Sequence, residues 1–153
     1  MANTYSQIHL HFIFATKYRA ALIQPKWEPL LYQYITGIVQ TYGHKLLCIN
    51  GMPDHIHLLI GLRPTQSAAD LMHWVKGGSS QWIHENDFCK SRFERQAGYG
   101  VFSCAKADIP PISLYIENQK IHHKKKSFLD EYADFLEENG IPYSPQYLFK
   151  PPL

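Results

Sequence analysis

Hydrophobic and polar positions alternate in one early stretch of the chain. Ile8, Leu10, Phe12 and Phe14 fall on one side of an extended segment whose other side carries His9 and His11. That period of two predicts a half-buried strand. The period then lengthens. Between about Pro25 and Tyr42, Leu31, Ile35, Ile38 and Tyr42 recur at helical spacing, and Gly43 is placed to end the helix. Leu46–Ile49 reads as a second strand. Asn50-Gly51-Met52-Pro53-Asp54 reads as a turn, and His55–Leu62 as a strand returning in a hairpin. Ser67-Ala68-Ala69-Asp70 has the form of a capping box, opening a helix with Leu71, Val75 and Trp82 toward the core. After the polar stretch Asn86–Gly98, Tyr99–Cys104 is predicted to be a strand. Asp108 and Pro110-Pro111 open a third helix running to about Lys125, since proline suits a first turn. Ser127 caps a fourth, ending near Gly140.

Strands and helices do not alternate one for one. The order strand, helix, hairpin, helix, strand, helices predicts an α+β architecture, an antiparallel sheet with helices packed on it. At 153 residues the chain fits one domain spanning 1–153. Residues 141–153, with prolines at 142, 145, 151 and 152, are expected to form an extended tail. No internal repeat or low-complexity segment is found.

Composition narrows the class. A hydrophobic fraction of 45% excludes disorder as the main state, and no apolar run is long enough to span a membrane. The start, Met-Ala-Asn-Thr-Tyr-Ser, has no secretion-signal character, so a cytoplasmic protein is expected. Cys48, Cys89 and Cys104 are odd in number and lack CxxC spacing, which argues against a disulfide framework or a zinc ribbon. Charge is unevenly placed. Residues 1–126 hold 14 Lys and Arg against 8 Asp and Glu, whereas residues 127–153 hold one Lys against 5 acids. A mildly basic body permits nucleic-acid binding without demanding it.

Candidate chemistry centres on Pro53-Asp54-His55-Ile56-His57-Leu58-Leu59. Successive strand side chains point to opposite faces, so His55 and His57 share one face and Ile56, Leu58 and Ile60 the other. Two imidazoles roughly 6–7 Å apart on one strand can share a metal ion. Downstream, Tyr115 and Gln119 are one helical turn apart on one face, while Glu117 points away. If that helix crosses the histidine-bearing face, the phenol oxygen and amide oxygen both approach a metal held by the histidines. A phenol with an ordinary pKa of about 10 is a poor nucleophile. It attacks a phosphodiester once a divalent cation polarises the phosphoryl group and the partners are aligned. Among the ten tyrosines, Tyr115 has Gln119 at ligand spacing and Lys106, Lys120 and Lys124 in its neighbourhood. Tyr132 sits amid Glu131, Asp134 and Glu137, whose charge repels a phosphate. His9-Leu10-His11 reads as a sheet-surface pair, and His122-His123-Lys124-Lys125-Lys126 as a basic helix end. Trp27, Trp74 and Trp82 read as core rather than as base-stacking platforms.

The chain resembles the single-tyrosine HUH transposases of the insertion-sequence 200/605 group. The resemblance rests on the histidine strand above and on Tyr115-Ile116-Glu117-Asn118-Gln119. Lys17-Tyr18-Arg19, Lys76-Gly77-Gly78-Ser79-Ser80 and Gly98-Tyr99-Gly100-Val101-Phe102-Ser103 support it in the same order along nearly the whole chain. His-x-His alone is unspecific; with Tyr-x-x-x-Gln it is not. The resemblance implies a ferredoxin- or RRM-like antiparallel sheet. It implies an enzyme that binds DNA hairpins at element ends, cuts single-stranded DNA, and rejoins it through a 5′-phosphotyrosine at Tyr115. It implies His55, His57 and Gln119 as metal ligands, and a homodimer with shared active sites. Two imidazoles and an amide oxygen carry no negative charge, which suits Mg2+ or Mn2+ bound weakly until a DNA phosphate joins. His122 is a rival third ligand, ranked below Gln119. Lys17, Arg19 and Lys76 are candidates for DNA backbone contacts, with solvated surface charge the competing reading for each.

Three other functions are weighed against this. A domesticated relative acting on chromosomal palindromes has the same chemistry. A non-catalytic RRM-like nucleic-acid-binding module has no need of Tyr115 with Gln119, and the stacking aromatics of that type are missing. A His-x-His metallohydrolase wants further His or Asp close after the motif, and Arg63-Pro64-Thr65-Gln66 supplies none.

Overall fold

A computed structural model describes residues 4–15, 23–89, 98–124 and 126–144. Lys17, Arg19 and most of the expected tail lie outside the described residues. The elements run β1 (His9–Ala15), α1 (Glu28–Thr41), β2 (Lys45–Met52), β3 (His55–Gly61), α2 (Ala68–Glu85) and β4 (Gly100–Cys104). A 3-10 turn (Lys106–Asp108) follows, then α3 (Ile109–Glu117), α4 (Gln119–His122) and α5 (Phe128–Glu138). The four strands form one sheet in the order β2-β3-β1-β4, every neighbouring pair antiparallel. This βαββαβ arrangement is ferredoxin-like, the α+β class expected.

The alternation on β1 and β3 divides the molecule into layers. Phe12, Phe14, Ile56, Leu58 and Ile60 form a core with Leu31, Ile35 and Val39 of α1 and Leu71, Met72, Val75 and Ile83 of α2. The buried α1 stripe runs through Val39, and Tyr42, expected on it, is about a third exposed. The three tryptophans all belong to this layer. Trp27 stacks on Phe88, Trp82 on Tyr34 and Trp74 on Tyr42. Trp27 is buried, but Trp74 is 48% exposed, so the expectation of three core tryptophans holds fully only for Trp27. The opposite sheet face carries Ile13, Ala15 and Phe102, covered by Phe128, Tyr132 and Leu136 of α5. The i, i+4, i+8 spacing of those three makes one apolar stripe. Caps match expectation: the Ser67 and Ser127 hydroxyls accept from the Asp70 and Asp130 amides. Gly43 and Gly140, both at positive φ, follow the ends of α1 and α5.

Two boundaries differ from the sequence reading. The second strand continues to Met52, so Asn50, Gly51 and Met52 pair with His57, Ile56 and His55, and Pro53-Asp54 alone makes the turn. Gly51 permits this close pairing, because a Cβ there would lie 2.2 Å from the His55 carbonyl oxygen. Gly51→Ala is therefore expected to cost about 1–3 kcal/mol, the usual range for forced overpacking, measured as a lower midpoint in chemical denaturation.

The third helix is also not continuous to Lys125. It stops at Glu117 and α4 restarts after Asn118. The Asn50 side-chain amide donates to the Ile116 and Glu117 carbonyls, both at 3.0 Å, supplying partners that a longer helix would find in its own next turn. Ile121 N–H donates to the Asn118 carbonyl instead. Lys120 then reaches back across the hairpin, donating to both Glu28 carboxylate oxygens at 2.9 and 3.0 Å.

Candidate active site

His55 and His57 sit on β3, the central strand that pairs with both β1 and β2, and both are essentially fully buried. They project, as the alternation requires, to the face opposite Ile56 and Leu58. The turn supplies the first orienting group: Asp54 Oδ1 lies 2.7 Å from His55 Nδ1 and accepts its hydrogen. A carboxylate behind a ligating histidine fixes ring and tautomer and leaves Nε2 free. His57 is backed from β1. Ile13 pairs directly with His57, so His11, two residues along, is its diagonal neighbour on the same face. The His11 Nε2 and His57 Nδ1 atoms are 2.8 Å apart, and the rings stack at 5.0 Å. His11 is 1% exposed, which corrects the surface-pair reading: α5 covers this face, with Phe135 edge-on to His11.

The helices bring the remaining groups. Gln119, the first residue of α4, is fully buried, and its Oε1 lies 3.2 Å from His55 Nε2. Its Nε2 donates to Glu131 Oε2 at 3.2 Å, which orients the amide. His123 follows α4 and places Nε2 3.1 Å from His55 Nε2 and 2.9 Å from Gln119 Oε1. Glu131, on the first turn of α5, is 2% exposed and lies 2.8 Å from His57 Nε2. A helix N-terminus is a favourable place for a carboxylate. One nitrogen each from His55, His57 and His123 and a Glu131 oxygen lie within 4.8 Å of one another, a grouping able to hold a metal ion.

Tyr115 is half-buried on α3. Its hydroxyl donates to Glu131 Oε2 and lies 3.1 Å from His122 Nε2. The ring meets His57 edge-on at 6.0 Å. Phenol, amide and histidine pair therefore come together within one chain, despite the break at Asn118. A cavity of about 300 Å³ opens beside the phenol, lined by Ile112, His122, Lys126, Glu131 and Phe135 among others.

His123, Glu131 and His11 escaped the sequence reading. Glu131 carried a signal, an acid lying beside the Phe128–Tyr132–Leu136 stripe of an amphipathic helix. Its charge was read only as repelling phosphate around Tyr132, whereas the structure sets that carboxylate against Tyr115. His122 touches the phenol side, 3.2 Å from Glu131 Oε2, and not the histidine pair. Lys76 lies on the other layer, 7% exposed, with Nζ donating to the Gly98 carbonyl at 2.7 Å beneath the Tyr99 ring.

Burial decides the charge states. It pushes His57 down to about 4, against the opposing pull of Glu131, and His11 down to about 3 with help from His57. Burial, then the Glu131 carboxylate, raises the Tyr115 phenol well above its usual range, so the proton stays on oxygen in the resting site. Burial opposes the Glu131 charge, but hydrogen bonds from His123, His57 and Tyr115 outweigh it and hold the carboxyl ionised. His11 and His57 are thus neutral when folded, whereas an unfolded imidazole protonates near about 6.5. The folded state binds fewer protons, so its stability is present above that pH and is lost as pH falls toward 4. In chelator, the thermal midpoint is expected to drop between pH 7 and pH 5; a flat profile contradicts the buried, neutral histidines.

The family model described as "Transposase IS200 like" matches residues 4–119. The chain belongs to this family. The ISDra2 transposase TnpA of Deinococcus radiodurans is 29% identical over 75 residues, 49% of this chain and 54% of the relative. The transposase for insertion sequence element IS200 of Salmonella typhimurium is 26% identical over 85 residues, 56% of each chain. The chain thus matches about half the length of these curated relatives. A crystal structure of a candidate transposase from Deinococcus radiodurans R1 superposes with a TM-score of 0.62 at 25% identity, over 78% of this chain and 95% of that one. A REP-associated tyrosine transposase bound to a REP hairpin shares the fold, with a TM-score of 0.61 at 12% identity over 97% of this chain and 90% of that one. Within the IS200-like match lie His55, His57, Tyr115 and Gln119; His123 and Glu131 fall beyond its end. Among the described residues, no helix is long and apolar enough to cross a membrane.

Proposed function

We propose that this chain is a metal-assisted tyrosine transposase that cuts and rejoins single-stranded DNA beside hairpins. The observation that carries it is the Glu131 carboxylate, which accepts from the Tyr115 hydroxyl through one oxygen and meets His57 Nε2 through the other. One acid thereby ties the candidate nucleophile to the candidate metal ligands.

The donors fit a divalent cation. His55 Nε2 and Gln119 Oε1 face each other with no hydrogen to share, because Asp54 fixes the histidine tautomer and Glu131 fixes the amide. Bound there, Mg2+ or Mn2+ supplies Lewis-acid polarisation of the scissile phosphate. The chain's own residues do the rest. Tyr115 enters with its proton on oxygen. As the Tyr115 oxygen bonds to phosphorus, Glu131 Oε2 takes the phenolic proton. The bond from phosphorus to the 3′ oxygen breaks, and that oxygen leaves as a hydroxyl after taking a proton from solvent. The 5′-phosphotyrosine keeps the bond energy, and attack by another 3′-hydroxyl rejoins the strand.

The family, together with a fold relative that binds a REP hairpin, supports this substrate class. Lys17 and Arg19 are proposed to contact the DNA backbone; Lys76, held inside, serves the sheet edge first. A homodimer with shared sites is part of the same proposal. The test is to incubate the protein with a hairpin-bearing single-stranded oligonucleotide and Mg2+ or Mn2+. A covalent adduct surviving denaturing electrophoresis, and missing in chelator, is expected. Metal-independent binding with no adduct is the outcome of the non-catalytic module.

A further inference from the structure

Three ring nitrogens and a carboxylate oxygen converge in the site, with the Gln119 amide oxygen beside them. His55 Nδ1 donates to Asp54 Oδ1 at 2.7 Å, so His55 Nε2 is a bare lone pair. His123 Nδ1 donates to the Lys126 carbonyl at 2.8 Å, which turns His123 Nε2 inward, 3.1 Å from Glu131 Oε2. Gln119 turns its oxygen inward because its nitrogen donates to Glu131. His55 Nε2, His123 Nε2 and Gln119 Oε1 sit 2.9–3.2 Å apart. The His55 Nε2 and Gln119 Oε1 lone pairs repel at that spacing, and a cation between them converts repulsion into ligation. His57 Nε2 adds a fourth nitrogen or oxygen donor on the same side, 2.8 Å from Glu131 Oε1. Glu131 Oε1 is in turn 3.7 Å from His55 Nε2. These separations bracket the edge of about 3.3 Å of a tetrahedron with bonds of about 2.0–2.1 Å.

We infer that the metal ligands of this chain extend beyond the expected trio to His123 and Glu131, forming a site of three imidazoles and a carboxylate beside Gln119. This rests on the metal-assisted reading above and changes its character. A trio without charge suits an oxygen-loving ion held loosely. Three imidazoles with a carboxylate suit a nitrogen-preferring first-row ion of the Zn2+ class, bound before DNA arrives. Both added ligands lie past residue 119, where the family match ends. The preference rests on the elements after residue 119.

The test is Zn2+ alone on the full chain, with no DNA. X-ray absorption counts imidazoles, and competition with a chromophoric chelator gives affinity. Three imidazoles are expected in the unaltered protein and two in His123→Ala. Affinity is expected to fall at least about tenfold in His123→Ala and in Glu131→Gln. Two imidazoles in the unaltered protein, or unchanged affinity in both variants, overturns the inference and leaves His123 and Glu131 as an ion pair, with the trio intact. No bound Zn2+ at all also overturns the inference, while the metal-assisted reading stands or falls separately on the adduct formed with Mg2+ or Mn2+ and lost in chelator. Should His123→Ala fail to fold, the count in the unaltered protein decides.

Discussion

Tyr115→Phe is expected to abolish the covalent protein–DNA adduct, by roughly 10³-fold or more, since removing a nucleophile leaves only binding and electrostatics to act. The fold should tolerate the change. The phenylalanine ring keeps its edge-on packing against His57, and Glu131 Oε2 retains the Gln119 amide and the two nearby imidazoles as partners. Hairpin binding should therefore be nearly unchanged, which separates lost chemistry from lost recognition. Tyr132→Phe is the control. Its ring packs on Phe102 and Phe128 within the apolar cluster under α5, and adduct formation should persist. An adduct formed by Tyr115→Phe, read by electrophoresis with labelled oligonucleotide, removes Tyr115 from its role.

His57→Ala is expected to have the second-largest effect, because that ring serves two purposes. It offers Nε2 to the site and it links His11 on β1 to Glu131 on α5. Metal affinity should fall by at least about 100-fold, the upper end of what loss of a mere supporting partner costs. Stability should fall by about 1–3 kcal/mol, since truncation leaves buried His11 and Glu131 without this partner. Titration calorimetry and thermal unfolding in chelator read the two effects separately. A variant that binds metal normally but unfolds early makes His57 a structural residue alone. Asp54→Ala is a milder companion change, because it frees the His55 ring without removing a donor.

Much of this was legible in the sequence because it is local. The alternation around His55 and His57 fixes which face each side chain takes, whatever the rest of the chain does. The serine caps before α2 and α5 are decided within four residues. Tyr115 and Gln119 were placed together by helical spacing, and the structure brings them together although the helix breaks between them. The break itself was invisible, since its cause is Asn50, more than sixty residues earlier in the chain. His11 and Glu131 were missed for the same reason. They become part of the site only when α5 lies across the histidine face of the sheet, and no spacing along the chain reports that docking; His123 stands one helical turn after Gln119, a spacing hidden in a run that looks like a basic helix end. The second histidine of β1 looked like a surface residue because a strand pattern shows two faces but not which face a later helix covers.

The separation of the two layers has a practical side. Trp27, Trp74 and Trp82 all lie against α1, α2 or the loop after α2, and the sheet stands between them and the histidines. Indole emission therefore monitors whether the chain is folded and is largely blind to what enters the opposite compartment. A contact quencher seated by the imidazoles is separated from the indoles by the sheet. Fluorescence melts taken with and without ligand can thus be compared directly, free of the optical artefact that spoils such comparisons when an indole lines the pocket.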